Sequence, residues 1–338
     1  MSINSRMVTV LHLCSVLVLL YSLSIPVPML VGLLFGETVY FPYLFTLGIS
    51  FVAGGLGWLL TRGRIQNLQP RDSFLVAVLF WLIFSAISSL PLYLDPRLDL
   101  EVVDAVFEGI SGITTTGASV LEDIDHLPRS VLFYRAQLNF LGGLGIIVLA
   151  LAVMPFLGIG GAKLYQSEMP GPMREDRLTP RLADTARHLW VIYTGLAAAC
   201  CWSFLLAGMD WFDALCHSLS TVSLGGFSTH GNSLGYYDSP EIEVVGGVFS
   251  FLAAVNSALY FLAINRSSIT PILSNTEFRF FSLVFSVVVA ITCLELYRTD
   301  TFSAQNAVIH GFFQAASVMT DNGLAAGNYP SWPDHIVV

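Results

Sequence analysis

The sequence predicts an all-α polytopic membrane protein. Of its 338 residues, 54% are hydrophobic and only 12% are charged, whereas soluble domains carry about 25% charged residues. Apolar segments long enough to cross a bilayer core of about 30 Å recur along the chain. A short motif that ends in glycine occurs repeatedly between these segments. These observations predict repeated membrane-spanning units, interrupted by segments that enter the membrane and turn back.

Seven segments of mostly apolar residues are candidate membrane spans. The first is long enough to cross and has no small-residue cleavage site beside it, so we interpret it as a retained helix and not as a signal peptide. The predicted spans are Val8–Ile25, Phe41–Leu60, Phe74–Leu94, Val131–Leu157, Trp190–Met209, Val244–Ile264 and Phe280–Tyr297.

A sixteen-residue motif occurs three times at intervals of roughly a hundred residues, as Asp104–Ser119, Asp213–Ser228 and His310–Ala325. In each copy about ten helix-compatible residues lead into a tetrapeptide that ends in glycine. Repeats of this kind indicate quasi-equivalent structural units. The three tetrapeptides are Thr114-Thr115-Thr116-Gly117, Ser223-Leu224-Gly225-Gly226 and Thr320-Asp321-Asn322-Gly323.

The length of the helical part of the motif decides what it can do in a membrane. A helix of about ten residues is about 15 Å long, so it can enter the bilayer but cannot cross it. Non-helical backbone at that depth is tolerated only where it is buried in protein or lines water. The negative end of such a half-helix favours a cation at the membrane centre. The closing glycine permits a positive φ, so that successive carbonyl oxygens can replace the hydration shell of that cation.

The distribution of charge predicts the orientation in the membrane. With a cytoplasmic N-terminus and alternating spans, 11 of the 15 Lys and Arg residues fall on the inner side, as the positive-inside rule requires. Acidic residues crowd around the first motif on the outer side, where they would attract cations. The inner residues are Arg6, Arg62, Arg64, Arg71, Lys163, Arg174, Arg177, Arg181, Arg187, Arg266 and Arg279.

Three features of the chain resemble the Trk/Ktr/HKT superfamily of potassium transporters and, within it, the TrkH family. They are the threefold pattern of half-helix, tetrapeptide and glycine, the TTTGAS sequence of the first copy, and the span from Arg129 to Pro155 that follows it. The resemblance covers nearly the whole chain. It implies units of span, half-helix with filter loop, and second span around a pseudo-fourfold pore, preceded by an extra N-terminal helical hairpin.

On that arrangement the chain divides into five parts. They are an N-terminal two-helix hairpin, a first pore unit, a cytoplasmic connecting segment, a second pore unit and an incomplete third pore unit. The family has a fourth unit, which is absent from this sequence, so we expect either a fragment or a ring completed by another polypeptide. In chain order the five parts are residues 1–71, 72–157, 158–189, 190–266 and 267–338.

The resemblance implies potassium uptake, with potassium as the substrate and no covalently bound cofactor. The ion would be held by the backbone carbonyls of the second and third residues of each tetrapeptide, flanked by the first and fourth. Glycine at the fourth position of every unit accompanies potassium in this superfamily, whereas serine in the first unit accompanies sodium. The expected coordinating residues are Thr115, Thr116, Leu224, Gly225, Asp321 and Asn322, and the flanking residues are Thr114, Gly117, Ser223, Gly226, Thr320 and Gly323.

Asp321 and Asn322 depart from the TTTG form of the first copy. If main-chain oxygens hold the ion, these side chains are free to vary. If instead the Asp321 carboxylate faces the ion path, it adds a charge there. We favour the first interpretation.

The resemblance also implies partners and a location. The protein would lie in the lipid of a plasma membrane, the bacterial inner membrane, and form a homodimer. A cytosolic ring of nucleotide-binding subunits, TrkA in this family, would contact its inner surface and gate the pore. No nucleic-acid partner is expected. The residues do not decide between channel-like movement and symport with protons or sodium.

Two alternatives remain open on the residues alone. A sodium-conducting or poorly selective member of the superfamily would share the architecture. A polytopic membrane enzyme could use the polar residues Glu108, His217 and His310 of the half-helices. Because no nucleophile and base arrangement and no phosphate-binding loop is present, we predict that the protein is not an enzyme.

The second span of the first pore unit is unusually polar for a membrane helix. It contains Arg135, Gln137 and Asn139, followed by several glycines. Polar groups at membrane depth generally face protein or water, so we expect this face to border the pore or the neighbouring unit. Arg135 would either pair with Glu108 or extend to the outer interface.

Overall fold

The structure, a computed structural model, describes residues 3–63, 70–157, 182–327 and 332–333. Within these ranges it contains α-helices and short 3-10 helices and no β-strand, which confirms the all-α prediction. The α-helices are α1 (Ile3–Ser22), α2 (Pro26–Leu34), α3 (Phe41–Thr61), α4 (Pro70–Leu94), α5 (Val102–Ile113), α6 (Arg129–Leu157), α7 (Leu182–Leu206), α8 (Trp211–Ser223), α9 (Pro240–Ala254), α10 (Ser257–Asn265), α11 (Thr270–Leu273), α12 (Thr276–Arg298) and α13 (Ala304–Met319).

Parts of two sequence predictions lie outside the described residues. The predicted connecting segment 158–189 is described only from residue 182 onward. Five of the basic residues that we predicted on the inner side also lie outside the described residues. They are Arg64, Lys163, Arg174, Arg177 and Arg181.

Five helical segments in the described ranges are long and apolar enough to cross a membrane, and a sixth is added if α9 and α10 count as one bent span. They fall on the predicted spans, with ends that differ by several residues. The fourth predicted span, Val131–Leu157, lies within α6. The five segments are Met7–Leu34, Phe41–Thr61, Leu75–Leu94, His188–Leu206 and Thr276–Arg298.

The prediction of one continuous span over Val244–Ile264 is wrong. Helix α9 ends at Ala254, α10 begins at Ser257, and the two axes differ by 82°. Val255 is extended, with φ −69° and ψ 133°. The side chain of Asn256 accepts a hydrogen bond from the backbone N–H of Ala258 at 3.0 Å, so it caps a new helix and does not continue the old one.

The first predicted span also continues further than expected. The predicted span ends at Ile25, but Pro26 directly begins helix α2. Proline is tolerated in the first turn of a helix, because the backbone N–H that it lacks has no partner there in any case. The interruption lies in the turn between Ser22 and Pro26.

The helical parts of the three motifs are half-helices, as predicted. Helices α5, α8 and α13 contain 12, 13 and 16 residues. At a rise of 1.5 Å per residue they are about 18–24 Å long, shorter than the bilayer core. The Asp210 carboxylate accepts a hydrogen bond from the backbone N–H of Phe212 at 2.8 Å and so caps α8 at its start.

The chain forms two compact bodies. The hairpin body comprises Met1–Thr114, Pro128–Tyr134 and Leu144–Trp190, and the filter body comprises Thr115–Leu127, Arg135–Gly143 and Val191–Val338. In the hairpin body α1 packs against α3 and α4, and α4 packs against α5. A Cβ atom at Gly109 of α5 would lie 2.8 Å from the backbone nitrogen of Ser89, so the absence of a side chain allows this close approach.

In the filter body α13 packs against α9 and α12, and α9 also packs against α8. Buried apolar side chains from these elements and from the segments that follow the tetrapeptides form one core. Phe204, Leu234, Phe313 and Leu324 are fully buried within it. This body holds the second and third tetrapeptides and all of the first except Thr114.

A buried carboxylate is paired with an arginine in the hairpin body. The Asp95 side chain is only 1% exposed, and its two oxygens lie 2.9 and 2.6 Å from the Nε and Nη2 atoms of Arg97. The Arg97 Nη1 atom donates to Glu37 at 2.7 Å, and Glu37 also accepts from the backbone N–H of Ser130. Burial raises the pKa of Glu37, but the hydrogen bonds from Ser130 and Arg97 outweigh burial and lower the pKa below its ordinary value.

We predict that Arg97→Met destabilises the protein by about 3–5 kcal/mol, because it leaves the Asp95 carboxylate buried without its counterion. The measurement is the melting temperature of the detergent-solubilised protein. The control is Arg298→Met, since Arg298 is 66% exposed and its pair with Glu295 at 2.9 Å is worth at most about 0.5 kcal/mol. Equal melting temperatures for the two variants would contradict a structural role for the buried pair.

Candidate functional site

The second and third half-helices end in the same hydrogen-bonding pattern. The backbone N–H of Gly225 donates to Ser220 O at 2.9 Å, and that of Asn322 donates to Ser317 O at 2.9 Å. In each copy the preceding N–H also donates back to its own helix, at 3.1 and 3.2 Å. This is the Schellman pattern, which requires a left-handed residue directly before the third position of the tetrapeptide.

The three tetrapeptides share one backbone conformation. The residue at the second position is left-handed in every copy, although none is glycine: φ is 57° at Thr115, 55° at Leu224 and 59° at Asp321. A non-glycine residue in this conformation costs about 1–2 kcal/mol. The fourth position is left-handed again, with φ of 75°, 75° and 77° at the three glycines. The sequence repeat is therefore also a repeat of an unusual and strained backbone.

This conformation determines where the carbonyl groups point. The peptide bonds are trans, so the N–H and C=O of one peptide unit point in opposite directions. The N–H groups of Leu224 and Gly225 point back to their half-helix. The carbonyls of the same peptide units, those of Ser223 and Leu224, therefore point away from it. The same holds for Thr320 and Asp321 in the third copy.

The side chain at the first position of each tetrapeptide also turns back to its half-helix. The hydroxyl group donates to a backbone carbonyl in the last turn, as a second donor beside the backbone N–H that this carbonyl already accepts. The three bonds are Thr114 Oγ1 to Ile110 O at 2.7 Å, Ser223 Oγ to Ser220 O at 2.9 Å and Thr320 Oγ1 to Ala316 O at 2.8 Å.

The tetrapeptides lie side by side in the filter body. A Cβ atom built on Gly117 would collide with the carbonyl oxygen of Gly225 and lie 3.2 Å from Gly226 Cα. A Cβ atom on Gly226 would collide in the same way with the carbonyl oxygen of Asn322 and lie 3.3 Å from Gly323 Cα. The first tetrapeptide thus contacts the second as the second contacts the third. Glycine is needed at both positions for space as well as for its φ.

Polar side chains of other helices contact the tetrapeptides. On α6, Asn139 donates through Nδ2 to the carbonyl oxygen of Gly225 at 2.9 Å. On α9, Ser250 Oγ lies 2.6 Å from Nδ2 of Asn322, so the Asn322 side chain points into the protein. The Asp321 side chain is exposed. The polar face of α6 was predicted from the sequence to border the pore or a neighbouring unit, whereas the contact made by Ser250 was not predicted.

The expectation that Arg135 extends to the outer interface is wrong. Its side chain is buried, with 1% exposure, and Nη1 donates to Ser228 O at 3.0 Å. Nη2 donates to Ser119 Oγ at 3.0 Å, and the guanidinium lies 4.1 Å from the centre of the Phe227 ring. The two acceptors and the aromatic ring replace the water that a snorkelling arginine would reach. Pairing with Glu108 stays a prediction.

His230 lies between two carboxylates just after the second tetrapeptide. Its Nδ1 is 2.6 Å from Asp125 Oδ1, and its Nε2 is 3.0 Å from Asp213 Oδ2. Asp213 also accepts from Tyr237 at 2.6 Å, and the His230 ring stacks on Tyr236 at 3.5 Å. A neutral imidazole has only one N–H, so two carboxylate partners favour the doubly protonated cation. Sequence analysis missed this cluster, because Asp125 and His230 are about a hundred residues apart.

The surroundings of His230 shift its pKa. Burial lowers the pKa of His230, but the hydrogen bonds and charges of Asp213 and Asp125 outweigh burial and raise the pKa above 6.5. The pKa values of both carboxylates are lowered, because hydrogen bonds, including those from His230, outweigh the effect of their burial. While the two carboxylates are ionised, the charged His230 therefore contributes its full stability below pH 6.5, and this contribution is lost as the pH rises through the raised pKa of His230.

Two polar residues of the enzyme alternative, His217 and His310, have different partners. His217 bonds through Nδ1 to Asp213 O and through Nε2 to Ser228 Oγ, both at 2.9 Å. His310 pairs instead with Glu243 at 2.6 Å. Glu108 is buried and belongs to the hairpin body. Among the described residues no group of three or more His, Cys, Asp or Glu is placed to hold a metal ion.

We predict that His230→Gln lowers the stability of the protein by about 1–3 kcal/mol at pH 6, through loss of charge-assisted hydrogen bonds. The difference in melting temperature from the wild type should shrink as the pH rises above 6.5. The control is His126→Gln, because the His126 pair with Asp123 at 2.8 Å is exposed on both sides. A difference that stays constant between pH 6 and pH 9 would show that His230 does not act as a cation.

The chain matches a family and several known proteins along most of its length. The profile of the TrkH family, described as a cation transport protein, matches residues 44–338. The Trk system potassium uptake protein TrkG of Escherichia coli K12 is 51% identical over 335 residues, which are 99% of this chain and 69% of that protein. The Trk system potassium uptake protein TrkH of Halomonas elongata is 41% identical over 96% of this chain and 67% of its own length.

A solved structure has the same fold. The crystal structure of the potassium transporter TrkH from Vibrio parahaemolyticus superposes with a TM-score of 0.87 and 36% sequence identity, over 98% of this chain and 68% of that chain. These matches agree with the membrane helices and the repeated tetrapeptides described above. The chain belongs to the TrkH family of cation transport proteins, which are multi-pass membrane transporters and not enzymes.

Proposed function

We propose that this protein takes up potassium through a filter of backbone carbonyl oxygens. The observation that carries the proposal is the shared left-handed backbone of three tetrapeptides that contact one another in sequence. The coordinating carbonyls are those of Thr115, Thr116, Leu224, Gly225, Asp321 and Asn322, and the flanking residues are Thr114, Gly117, Ser223, Gly226, Thr320 and Gly323.

Carbonyl oxygens suit a monovalent cation because they replace its hydration shell without adding full negative charges that would trap it. Each half-helix ends at its tetrapeptide, and its C-terminus carries a partial negative charge of about half an electron. The side chains at the first position and that of Asn322 turn toward protein. The ion therefore meets main chain, which agrees with our preference for main-chain coordination at Asp321.

Potassium is the proposed ion for two reasons. The matched proteins of Escherichia coli and Halomonas elongata are potassium uptake proteins by name, and that of Vibrio parahaemolyticus is a potassium transporter. Glycine also closes all three tetrapeptides, as the superfamily pattern for potassium requires. A sodium-conducting protein of the same family would be recognised by sodium uptake that equals or exceeds potassium uptake.

The wider organisation is part of the proposal. The pore units are residues 72–157, 190–266 and 267–338 around a pseudo-fourfold axis, after a hairpin of residues 1–71 and with the connecting segment 158–189 between the first two. The excess of Lys and Arg on one side supports a cytoplasmic N-terminus in a bacterial inner membrane. By family likeness the protein forms a homodimer and is gated by a cytosolic nucleotide-binding ring of the TrkA type.

We predict that Gly226→Ala displaces the filter and so reduces potassium uptake by about tenfold or more. A tenfold reduction corresponds to a transport barrier that is higher by about 1.4 kcal/mol. The added Cβ atom would collide with the carbonyl oxygen of Asn322. The measurement is growth of potassium-uptake-deficient cells at low potassium, together with rubidium uptake, using the complete gene.

A matched control separates the collision from backbone strain. Gly36 has a φ of 74°, against 75° at Gly226, but a Cβ atom there would meet nothing within 4 Å. Gly36→Ala therefore carries the same conformational cost without the collision, and we expect near-normal uptake. Normal uptake by Gly226→Ala at normal membrane levels would overturn the filter proposal.

A further inference from the structure

Two donors on one face of α6 hold the second tetrapeptide and the residues after it. Arg135 and Asn139 are four residues apart, so they lie on the same helix face, about 6 Å apart along its axis. Asn139 donates to Gly225 O at 2.9 Å, and Arg135 donates to Ser228 O at 3.0 Å. One turn of α6 therefore binds two backbone carbonyls that are three residues apart.

The packing of Asn139 on Gly225 leaves no room for adjustment. A Cβ atom at Gly225 would lie 2.7 Å from Asn139 Cβ and would collide with Cγ and Nδ2 of the same side chain. The backbone of Gly225 cannot move toward α6 without meeting the asparagine. It cannot move away without losing the hydrogen bond.

Asn139 contributes little else that would stabilise the fold. Its side chain is fully buried, and within the described part of the chain its Oδ1 atom has no hydrogen-bond partner. An unsatisfied buried acceptor costs about 1–3 kcal/mol. The orientation of the amide follows from the Gly225 carbonyl, since the opposite orientation would place two acceptor oxygens against each other.

The next junction has a contact at the equivalent position, made to a side chain and not to a backbone carbonyl. Asn322 is the counterpart of Gly225 in the third tetrapeptide, and its Nδ2 lies 2.6 Å from Ser250 Oγ on α9. Helix α9 follows the second tetrapeptide as α6 follows the first. In both cases the helix after one tetrapeptide binds the third residue of the next one.

Arg135 ties two equivalent positions together. Ser119 and Ser228 are both two residues after the glycine of their tetrapeptides, and the guanidinium donates to both. These bonds fix the spacing between the residues that follow the first tetrapeptide and those that follow the second. Arginine suits this role because its planar fork presents several donors in fixed directions.

We propose that Asn139 is a positioning residue that sets cation selectivity, and that Arg135 fixes the residues that follow the second tetrapeptide. This inference rests on the proposed function. The Gly225 carbonyl has two lone pairs: one accepts from Asn139 and the other remains for the ion. Sodium is smaller than potassium, so its coordination requires the carbonyls to move inward. The bond to Asn139 opposes that movement and thereby disfavours sodium.

The test is the ratio of potassium to sodium uptake by cells that express the complete gene with Asn139→Leu. Leucine has a similar volume and shape but has no donor. We expect normal membrane levels and a ratio lowered by about tenfold, which is a loss of about 1.4 kcal/mol of discrimination. Asn139→Ala, which also removes the donor and adds no charge, gives the same comparison if the leucine variant does not insert.

The control is Thr46→Val, which removes a buried hydrogen bond from a side chain to a backbone carbonyl, Pro42 O at 2.8 Å, in α3 of the hairpin body. We expect an unchanged ratio, because a general loss of stability changes the amount of protein and not its selectivity. A wild-type ratio in the inserted Asn139 variants would overturn the inference. Absence of potassium uptake by the wild type would overturn the proposed function, and this inference with it.

Discussion

A backbone carbonyl inside a membrane needs a partner, and this requirement governs the structure around the tetrapeptides. Each half-helix ends at membrane depth and leaves its last carbonyls without helical partners. The Schellman bonds supply backbone donors to some of them, and the hydroxyl at the first position of each tetrapeptide adds a second donor to one carbonyl. The carbonyls of Ser223 and Leu224, like those of Thr320 and Asp321, point away from the half-helices. In the proposed filter a bound cation would be their partner, so the turn that ends each half-helix would also form part of the ion path.

The filter body supports these strained turns from several directions. Asn139 and Ser250 bind the third residues of the second and third tetrapeptides. Further from the turns, Arg135 joins Ser119 to Ser228, and His230 joins Asp125 to Asp213. Left-handed backbone at non-glycine residues persists only where its surroundings hold it in place. The buried contacts of Asn139 and Ser250 provide that support at the turns, and those of Arg135 and His230 hold the more exposed segments that follow.

Much of this could be predicted from the sequence, because some signals are local. Hydropathy located the spans, and the register of the three motifs located the tetrapeptides. The break at Val255 and Asn256 was missed, because hydropathy is insensitive to an asparagine that caps a new helix inside an apolar segment. The burial of Arg135 was missed because its acceptors, Ser119 and Ser228, are far from it in sequence. The cluster around His230 was missed for the same reason: only the folded chain brings Asp125 and Asp213 to one imidazole.

The second position of the tetrapeptides carries threonine, leucine and aspartate on one and the same left-handed backbone. A pore assembled from identical subunits would have to repeat one residue in every sector. A single chain with several copies does not, because each copy can change its side chains while the main chain keeps the shape. The side chains at this position can therefore be chemically uneven, a hydrocarbon in one copy and an exposed carboxylate in another, on a main chain of nearly uniform shape.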